Sequence, residues 1–288
     1  MSTLKEYRMD IIPNWCPGCG DFSVLAAIQK SAVNLNIEPE DMALISGIGC
    51  SGRISGYVNV YSMHTMHGRA LAVAQGVKLA NPDLHVICAG GDGDGFGIGL
   101  NHFAHAARRN VDLTYIVMDN QIYGLTKGQM SPTSPQGMET KSSPSGNPEQ
   151  PINPLQIALA SGSSFIAQAF SGDVKQLTSL IEQGIKHKGF AFINVFSPCV
   201  TFNKILTYEF LKKNLVNLDE KEGYDPSNRS MAFNVVEETS SMFTGVLYRN
   251  KRKLLTESLP KGSGTNMLRQ GNFILNESMK EKLISRFI

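Results

Sequence analysis

Four cysteines, Cys16, Cys19, Cys50 and Cys199, each stand in a turn marked by glycine or proline, and the first two share the run Trp15-Cys16-Pro17-Gly18-Cys19-Gly20. A glycine after a cysteine lets the chain curl so that backbone amides face sulfur, which spreads the negative charge of a four-thiolate site. Three chemistries use such residues: an iron–sulfur cluster, a structural zinc and, for the Cys-x-x-Cys pair alone, a redox dithiol. Cys88 differs, because within Leu84-His85-Val86-Ile87-Cys88-Ala89 a thiol reads as a buried strand residue.

A second set of residues suits a diphosphate held through a divalent cation. In Gly91-Asp92-Gly93 the glycines clear side chains where backbone must approach phosphate, and Asp92 supplies a hard oxygen ligand for magnesium. Asn120 supplies a second oxygen from its side-chain carbonyl. A bare Gly-Asp-Gly is also an ordinary turn. What argues for a site is placement: Leu84 to Ala89 and Leu113 to Met118 read as short buried strands, so both halves fall at strand carboxyl ends, where open α/β sheets bind ligands. The triplet occurs twice, since Gly93-Asp94-Gly95 overlaps the first, and spacing does not choose between Asp92 and Asp94.

Together these residues resemble the β subunit of two-subunit 2-oxoacid:ferredoxin oxidoreductases. The resemblance runs in order from about residue 10 to 204, through Asn14 to Gly20, Gly47-Ile48-Gly49-Cys50-Ser51, His67-Gly68-Arg69-Ala70, Gly91 to Gly95, Met118-Asp119-Asn120-Gln121-Ile122-Tyr123-Gly124-Leu125-Thr126 and Ser197-Pro198-Cys199. It implies a thiamine diphosphate-binding fold and one [4Fe–4S] cluster, with Cys16, Cys19, Cys50 and Cys199 at the ligand positions. Asp92, Asn120 and the Ile122 carbonyl match the magnesium positions. Cofactor contacts are implied for Gly49, Cys50, Ser51, His67, Gly91, Asp92, Gly93, Asp94, Gly124, Leu125 and Thr126. The usual thiamine motif ends in two asparagines; here it reads Asp119-Asn120, as is typical of this family. The implied activity is coenzyme A-dependent oxidative decarboxylation of a 2-oxoacid, with electrons passed through the cluster to ferredoxin. The implied partner is an α subunit, in an αβ unit paired again into a symmetric assembly. No motif for the carboxylate that must face the thiamine aminopyrimidine is found in this chain, and the resemblance assigns that carboxylate to the α subunit. A thiamine-dependent carboligase or decarboxylase would share the Gly-Asp-Gly to Asn120 signature but has no use for four cysteines. A zinc-stapled binding protein would use the cysteines and leave the diphosphate motif unexplained.

The elements that must position these residues alternate. Helical patterns, one with Asp21 as its cap and others at Ala70 to Ala80, Ile98 to Arg109 and Asp173 to His187, separate apolar runs. Those runs lie at Met42 to Ser46, Leu84 to Ala89, Leu113 to Met118, Ser164 to Ala169 and Phe190 to Phe196. This predicts an α/β fold, a doubly wound and mostly parallel sheet covered on both faces. Between Tyr123 and Pro154 the chain is polar and rich in Pro, Ser and Gly, and it reads as a wall or lid of the site. Residues 1–204 form the expected binding domain, and 205–288 an extension packed on the core or on a partner. With 288 residues, 42% hydrophobic and 18% charged, the chain buries a sizeable core.

The net charge is +2, no stretch approaches a membrane span, and the amino terminus lacks a secretory apolar region. A cytoplasmic protein with no nucleic-acid or membrane partner is expected. Three further residues are candidates for the chemistry. His67 lines the cofactor pocket by its motif, and Arg53 and Lys127 are cations for a substrate carboxylate at one mouth, with 2-oxoglutarate favoured over pyruvate. An alternative for Arg53 is a pair with a cofactor phosphate or an acidic residue of the α subunit. His64, His85, His102, His105 and His187 read as structural, Arg108-Arg109 as a helix terminus, and Arg249 to Lys253 as a solvated basic turn.

Overall fold

A computed structural model of the chain describes residues 2–259 and 277–285; the rest of the extension expected over 205–288 lies outside the described residues. The elements in chain order begin with α1 (Asp21–Asn34), β1 (Met42–Ser46), β2 (Tyr61–His64), α2 (Ala70–Ala80), β3 (His85–Gly91), α3 (Leu100–Arg109) and β4 (Leu113–Asp119). They continue with α4 (Pro154–Ala160), β5 (Phe165–Phe170), α5 (Val174–Lys186), β6 (Phe190–Phe196), α6 (Tyr208–Asn214), β7 (Val216–Asn217), α7 (Arg229–Glu238) and β8 (Phe243–Arg249). Two short helices, α8 (Leu255–Ser258) and α9 (Glu277–Ile284), follow.

The sheet has eight strands in the order β2-β1-β3-β4-β6-β5-β8-β7. From β2 to β5 every pairing is parallel, and β8 joins β5 antiparallel with β7 on its outer side. The central strands are buried on both faces, which explains why they read as unbroken apolar runs. Their side chains alternate between two cores. Phe190 and Phe192 face α2, α3, α4 and α7, while Ala191, Ile193 and Val195 face α1 and α5. On the first face Phe103 packs edge-on to Phe192 at 4.7 Å between ring centres, a contact that adds specificity to area burial.

Two expectations shift. Asp21 does not cap α1; Gly20 occupies that position, and the Asp21 carboxylate instead accepts a hydrogen bond from Ser197 Oγ at 2.7 Å. The third helix starts at Leu100 rather than Ile98, because residues 93–98 first form a wider π-type turn that accommodates the glycines. Strand β2, Tyr61-Ser62-Met63-His64, is not anticipated by the sequence: it is four residues long, and all four are exposed at the sheet edge, so it buries no apolar face. The basic run Arg249 to Lys253 is exposed, as expected, and two of its arginines also make specific contacts. Arg252 donates to the Ala107 and Arg108 carbonyls at 3.1 and 3.2 Å and also to the Gly162 carbonyl, so it closes the last turn of α3 and the turn after α4. Arg249 stacks over Phe165 at 5.4 Å.

Candidate functional site

Parallel pairing of β3 with β4 sets Gly91 opposite Met118, so the chain leaves both strands side by side and brings Asp92 next to Asp119 and Asn120. A cleft of about 450 Å3 opens there, lined by Gly49, Cys50, Ser51, His67, Gly91 to Asp94, Asn120 and Ile122 to Thr126. Every residue whose motif suggested cofactor contact lies on this one lining. A Cβ on Gly91 would stand 2.8 Å from Ser51 Oγ, and one on Gly93 would overlap the Tyr123 ring at 2.2 Å. Side chains at these positions would fill the floor, so the glycines are needed for close approach of the backbone.

The two aspartates of the overlapping triplets do different work. Asp94 Oδ1 accepts from the Ile48 and Gly68 amides at 2.9 and 2.8 Å and lies 3.7 Å from His67 Nδ1, so it ties the two flanking loops together. Asp92 has no such role. Its carboxylate accepts from Thr133 Oγ1 at 2.7 Å and from Ser131 Oγ, and it borders the cleft. Burial pushes its carboxyl upward, against the pull of those hydroxyls. Asp119 rises to about 7 through burial first and then the nearby Asp92 charge. Among the described residues no lysine or arginine pairs with Asp92 or Asp119. Buried carboxylates without a cation call for one, and a divalent ion held by Asp92, the Asn120 side chain and the Ile122 carbonyl fits that need. Asn120 is itself fixed, its Oδ1 accepting from the Ile122 amide at 3.0 Å and its carbonyl from Asn203 Nδ2 at 2.8 Å.

The cysteine corner adjoins the cleft. Cys16 to Gly20, the turn at Cys50 and the end of β6 meet through the Gly20 amide on the Pro198 carbonyl at 3.3 Å and Trp15 Nε1 on the Cys50 carbonyl at 2.7 Å. All four thiols are free; Cys16 is exposed and Cys19, Cys50 and Cys199 are half-buried. Burial, then the Asp21 charge, pushes the Cys19 thiol far up. The same two causes with Cys199 and Cys16 raise Cys50 to about 11, while Arg53 pulls it down. Thiolates brought together at one corner would repel one another, and a cationic metal centre would offset that repulsion. Among the described residues no three His, Cys, Asp or Glu side chains close on one point as a single ion requires. Cys88 is fully buried in β3.

Arg53 stands beside Cys50 in the turn Ser51–Gly56 and is half-buried. Arg53 is not among the residues lining the cleft that Cys50 borders, and Lys127 does not share that cleft either. It opens instead on a neighbouring cleft of about 850 Å3 with Glu139, Lys141 and Phe202, because a positive φ of 76° at Lys127 turns the chain away. Sequence reading misses Ser131, Thr133, Tyr123 and Asn203. The first two lie in the long polar segment, and only the burial of their hydroxyls against Asp92 distinguishes them from their neighbours.

Comparison with known proteins adds independent findings. Residues 47–195 match the family described as thiamine pyrophosphate enzyme, C-terminal TPP binding domain, and residues 199–263 match the C-terminal family of the pyruvate ferredoxin oxidoreductase beta subunit. The chain is 44% identical over 260 residues to 2-oxoacid:ferredoxin oxidoreductase 1, subunit beta, of Aeropyrum pernix, covering 87% of this chain and 82% of that protein. It is 43% identical over 226 residues to the 2-oxoglutarate synthase subunit KorB of Methanocaldococcus jannaschii, covering 75% and 84%. Its fold is similar to that of a 2-oxoglutarate:ferredoxin oxidoreductase from Magnetococcus marinus, solved with 2-oxoglutarate, coenzyme A and succinyl-CoA bound. That match has a TM-score of 0.88 at 43% identity and covers 99% of this chain and 96% of that one.

Proposed function

Since the chain belongs to the β subunits of the 2-oxoacid:ferredoxin oxidoreductases, we propose that it holds thiamine diphosphate through Mg2+ in the cleft at Gly91 and a [4Fe–4S] cluster on Cys16, Cys19, Cys50 and Cys199. One observation carries this reading: Cys50 and Gly124 belong to both places. Both line the cleft, and a Cβ on Gly124 would stand 3.6 Å from each of the Cys50 and Cys199 sulfurs.

When bound, the thiamine cofactor supplies the carbanion chemistry of 2-oxoacid decarboxylation. This chain's residues position it. Asp92, Asn120 and the Ile122 carbonyl fix the cation, the glycine backbone clears room for the diphosphate, and the Asp94 clamp holds Ile48 and Gly68 in place. Ferredoxin takes the electrons, coenzyme A takes the acyl group, and the α subunit supplies the aminopyrimidine carboxylate, in a cytoplasmic αβ unit that pairs again. The test is an anaerobic preparation of the chain with and without its α subunit. Iron and acid-labile sulfide in equal amounts, together with turnover only in the complex, are expected; zinc in place of iron, or turnover by the chain alone, would reject the reading.

For the substrate, 2-oxoglutarate is favoured. Supporting this reading, Arg53 follows Cys50 in the turn Ser51–Gly56 beside the cleft and would offer a guanidinium to a distal carboxylate. Lys127 would act from the neighbouring cleft. Arg53→Met is expected to raise the KM for 2-oxoglutarate about tenfold or more, from the loss of a charged hydrogen-bonded pair, and to leave that for pyruvate within about twofold. An equal rise for both acids removes the preference.

A further inference from the structure

Within the polar segment that follows Tyr123, the run Ser131-Pro132-Thr133-Ser134 turns three hydroxyls inward. Ser131, Thr133 and Ser134 are all buried, although serine and threonine mostly face water. Each hydroxyl has one hydrogen to give. Ser134 Oγ donates to the Gln121 carbonyl at 2.6 Å and accepts from the Ser131 amide at 2.8 Å. Gln121 stands between Asn120 and Ile122 with a left-handed φ of 56°, so this bond holds the turn that carries both of those candidate ligands. Asn147 Nδ2 in turn donates to the Ser134 carbonyl at 3.0 Å and roots the run in its own segment.

The other two hydroxyls converge on one atom. Ser131 Oγ and, at 2.7 Å, Thr133 Oγ1 both donate to Asp92 Oδ2. Asp119 Oδ1 lies farther from Thr133 Oγ1, at 3.1 Å, so the single Thr133 hydrogen goes to Asp92. A carboxylate oxygen offers about two lone-pair directions, and on Oδ2 the two hydroxyls occupy both. Neither hydroxyl meets Oδ1. Asp92 borders the cleft, and of its two oxygens Oδ1 is the one left for a cation there. That count bears on which ion fits. Mg2+ demands a near-octahedral array of few protein ligands, whereas Ca2+ takes about six to eight oxygens and accepts both oxygens of one carboxylate.

We propose that Ser131 and Thr133 are positioning residues that hold Asp92 to ligation through one oxygen and thereby set the preference of the cleft for Mg2+ over Ca2+. The inference rests on the reading of the cleft as a site for thiamine diphosphate with a divalent cation, and adds the residues that select the ion.

The experiment uses the complex with the α subunit, stripped of thiamine diphosphate and divalent cations, and reads thiamine diphosphate affinity by titration calorimetry in Mg2+ and separately in Ca2+. In Ser131→Ala/Thr133→Val the affinity supported by Mg2+ is expected to fall about 10- to 100-fold, the usual loss when a group supporting a metal ligand is removed. The affinity supported by Ca2+ is expected to fall by less than about threefold, because the freed Oδ2 can join the larger ion. Thr133→Ser keeps the hydroxyl and is expected to keep the wild-type ratio of the two affinities. An equal fall with both ions, a ratio that shifts as far in Thr133→Ser, or a wild-type complex without preference for Mg2+ overturns the proposal and leaves the reading of the cleft intact. Absence of any cation-dependent binding by the wild-type complex rejects that reading and the proposal with it. Should the double variant not fold, Thr133→Val alone frees one lone pair of Oδ2 and is expected to shift the ratio toward Ca2+; an unchanged ratio there overturns the proposal equally.

Discussion

Asp92→Ala is expected to abolish Mg2+-dependent binding of thiamine diphosphate, lowering its affinity by well over about 100-fold. Removing a group that merely supports a metal ligand already costs about 10- to 100-fold, and Asp92 is assigned as a ligand to a small ion that tolerates few geometries. The neighbouring triplet provides the contrast. Asp94→Ala removes the acceptor of the Ile48 and Gly68 amides, so it should loosen two loops and lower the thermal midpoint while weakening cofactor binding less. Titration calorimetry of thiamine diphosphate with and without Mg2+ distinguishes the two variants. Unchanged affinity in the Asp92 variant would remove it from the metal site, and a larger loss in the Asp94 variant would reverse the assignment.

The second large effect concerns the cysteines. Alanine at Cys16, Cys19, Cys50 or Cys199 should bleach an anaerobically prepared brown protein and release its iron and sulfide. Cys88→Ala should keep both, because that thiol lies fully buried within β3, in the sheet core. A small cavity there costs about 1 kcal/mol or somewhat more, which is a stability effect without a colour change. Iron analysis and visible absorbance read the outcome. Retained colour in the Cys199 variant together with loss in the Cys88 variant would show that the ligand set is misassigned.

How much of this is legible in the sequence depends on where each residue's signal comes from. The central strands can be read almost to the residue, because a strand buried on both faces must be apolar throughout, as Phe190–Phe196 is. The diphosphate residues are legible because the glycine turn and Asn120 follow such strands directly. Strand β2 and the carboxyl-terminal strands β7 and β8 are not. One is exposed at an edge, one has two residues, and β8 interrupts its apolar run with Gly245 at a φ of 111°. The choice between Asp92 and Asp94 also lies outside the sequence, since it rests on which carboxylate the Ile48 and Gly68 amides find in space. Arg252 reads as one member of a basic run, and its carbonyl partners come from helix ends far away along the chain.

Gly124 has a consequence for the kinds of change this architecture tolerates. Gly124 lines the cleft beside Cys50, and a Cβ there would stand 3.6 Å from each of the Cys50 and Cys199 sulfurs, so the chain is thin at that point. The same thinness makes Tyr123 to Thr126 intolerant of insertion. One added residue would push either into the space over Asp92 and Asn120 or into the cysteine corner, and the parallel register of β3 and β4 that frames both leaves no slack to absorb it. Added residues are expected to be tolerated instead in the more exposed part of the polar segment beyond it, around Glu139 to Ser145.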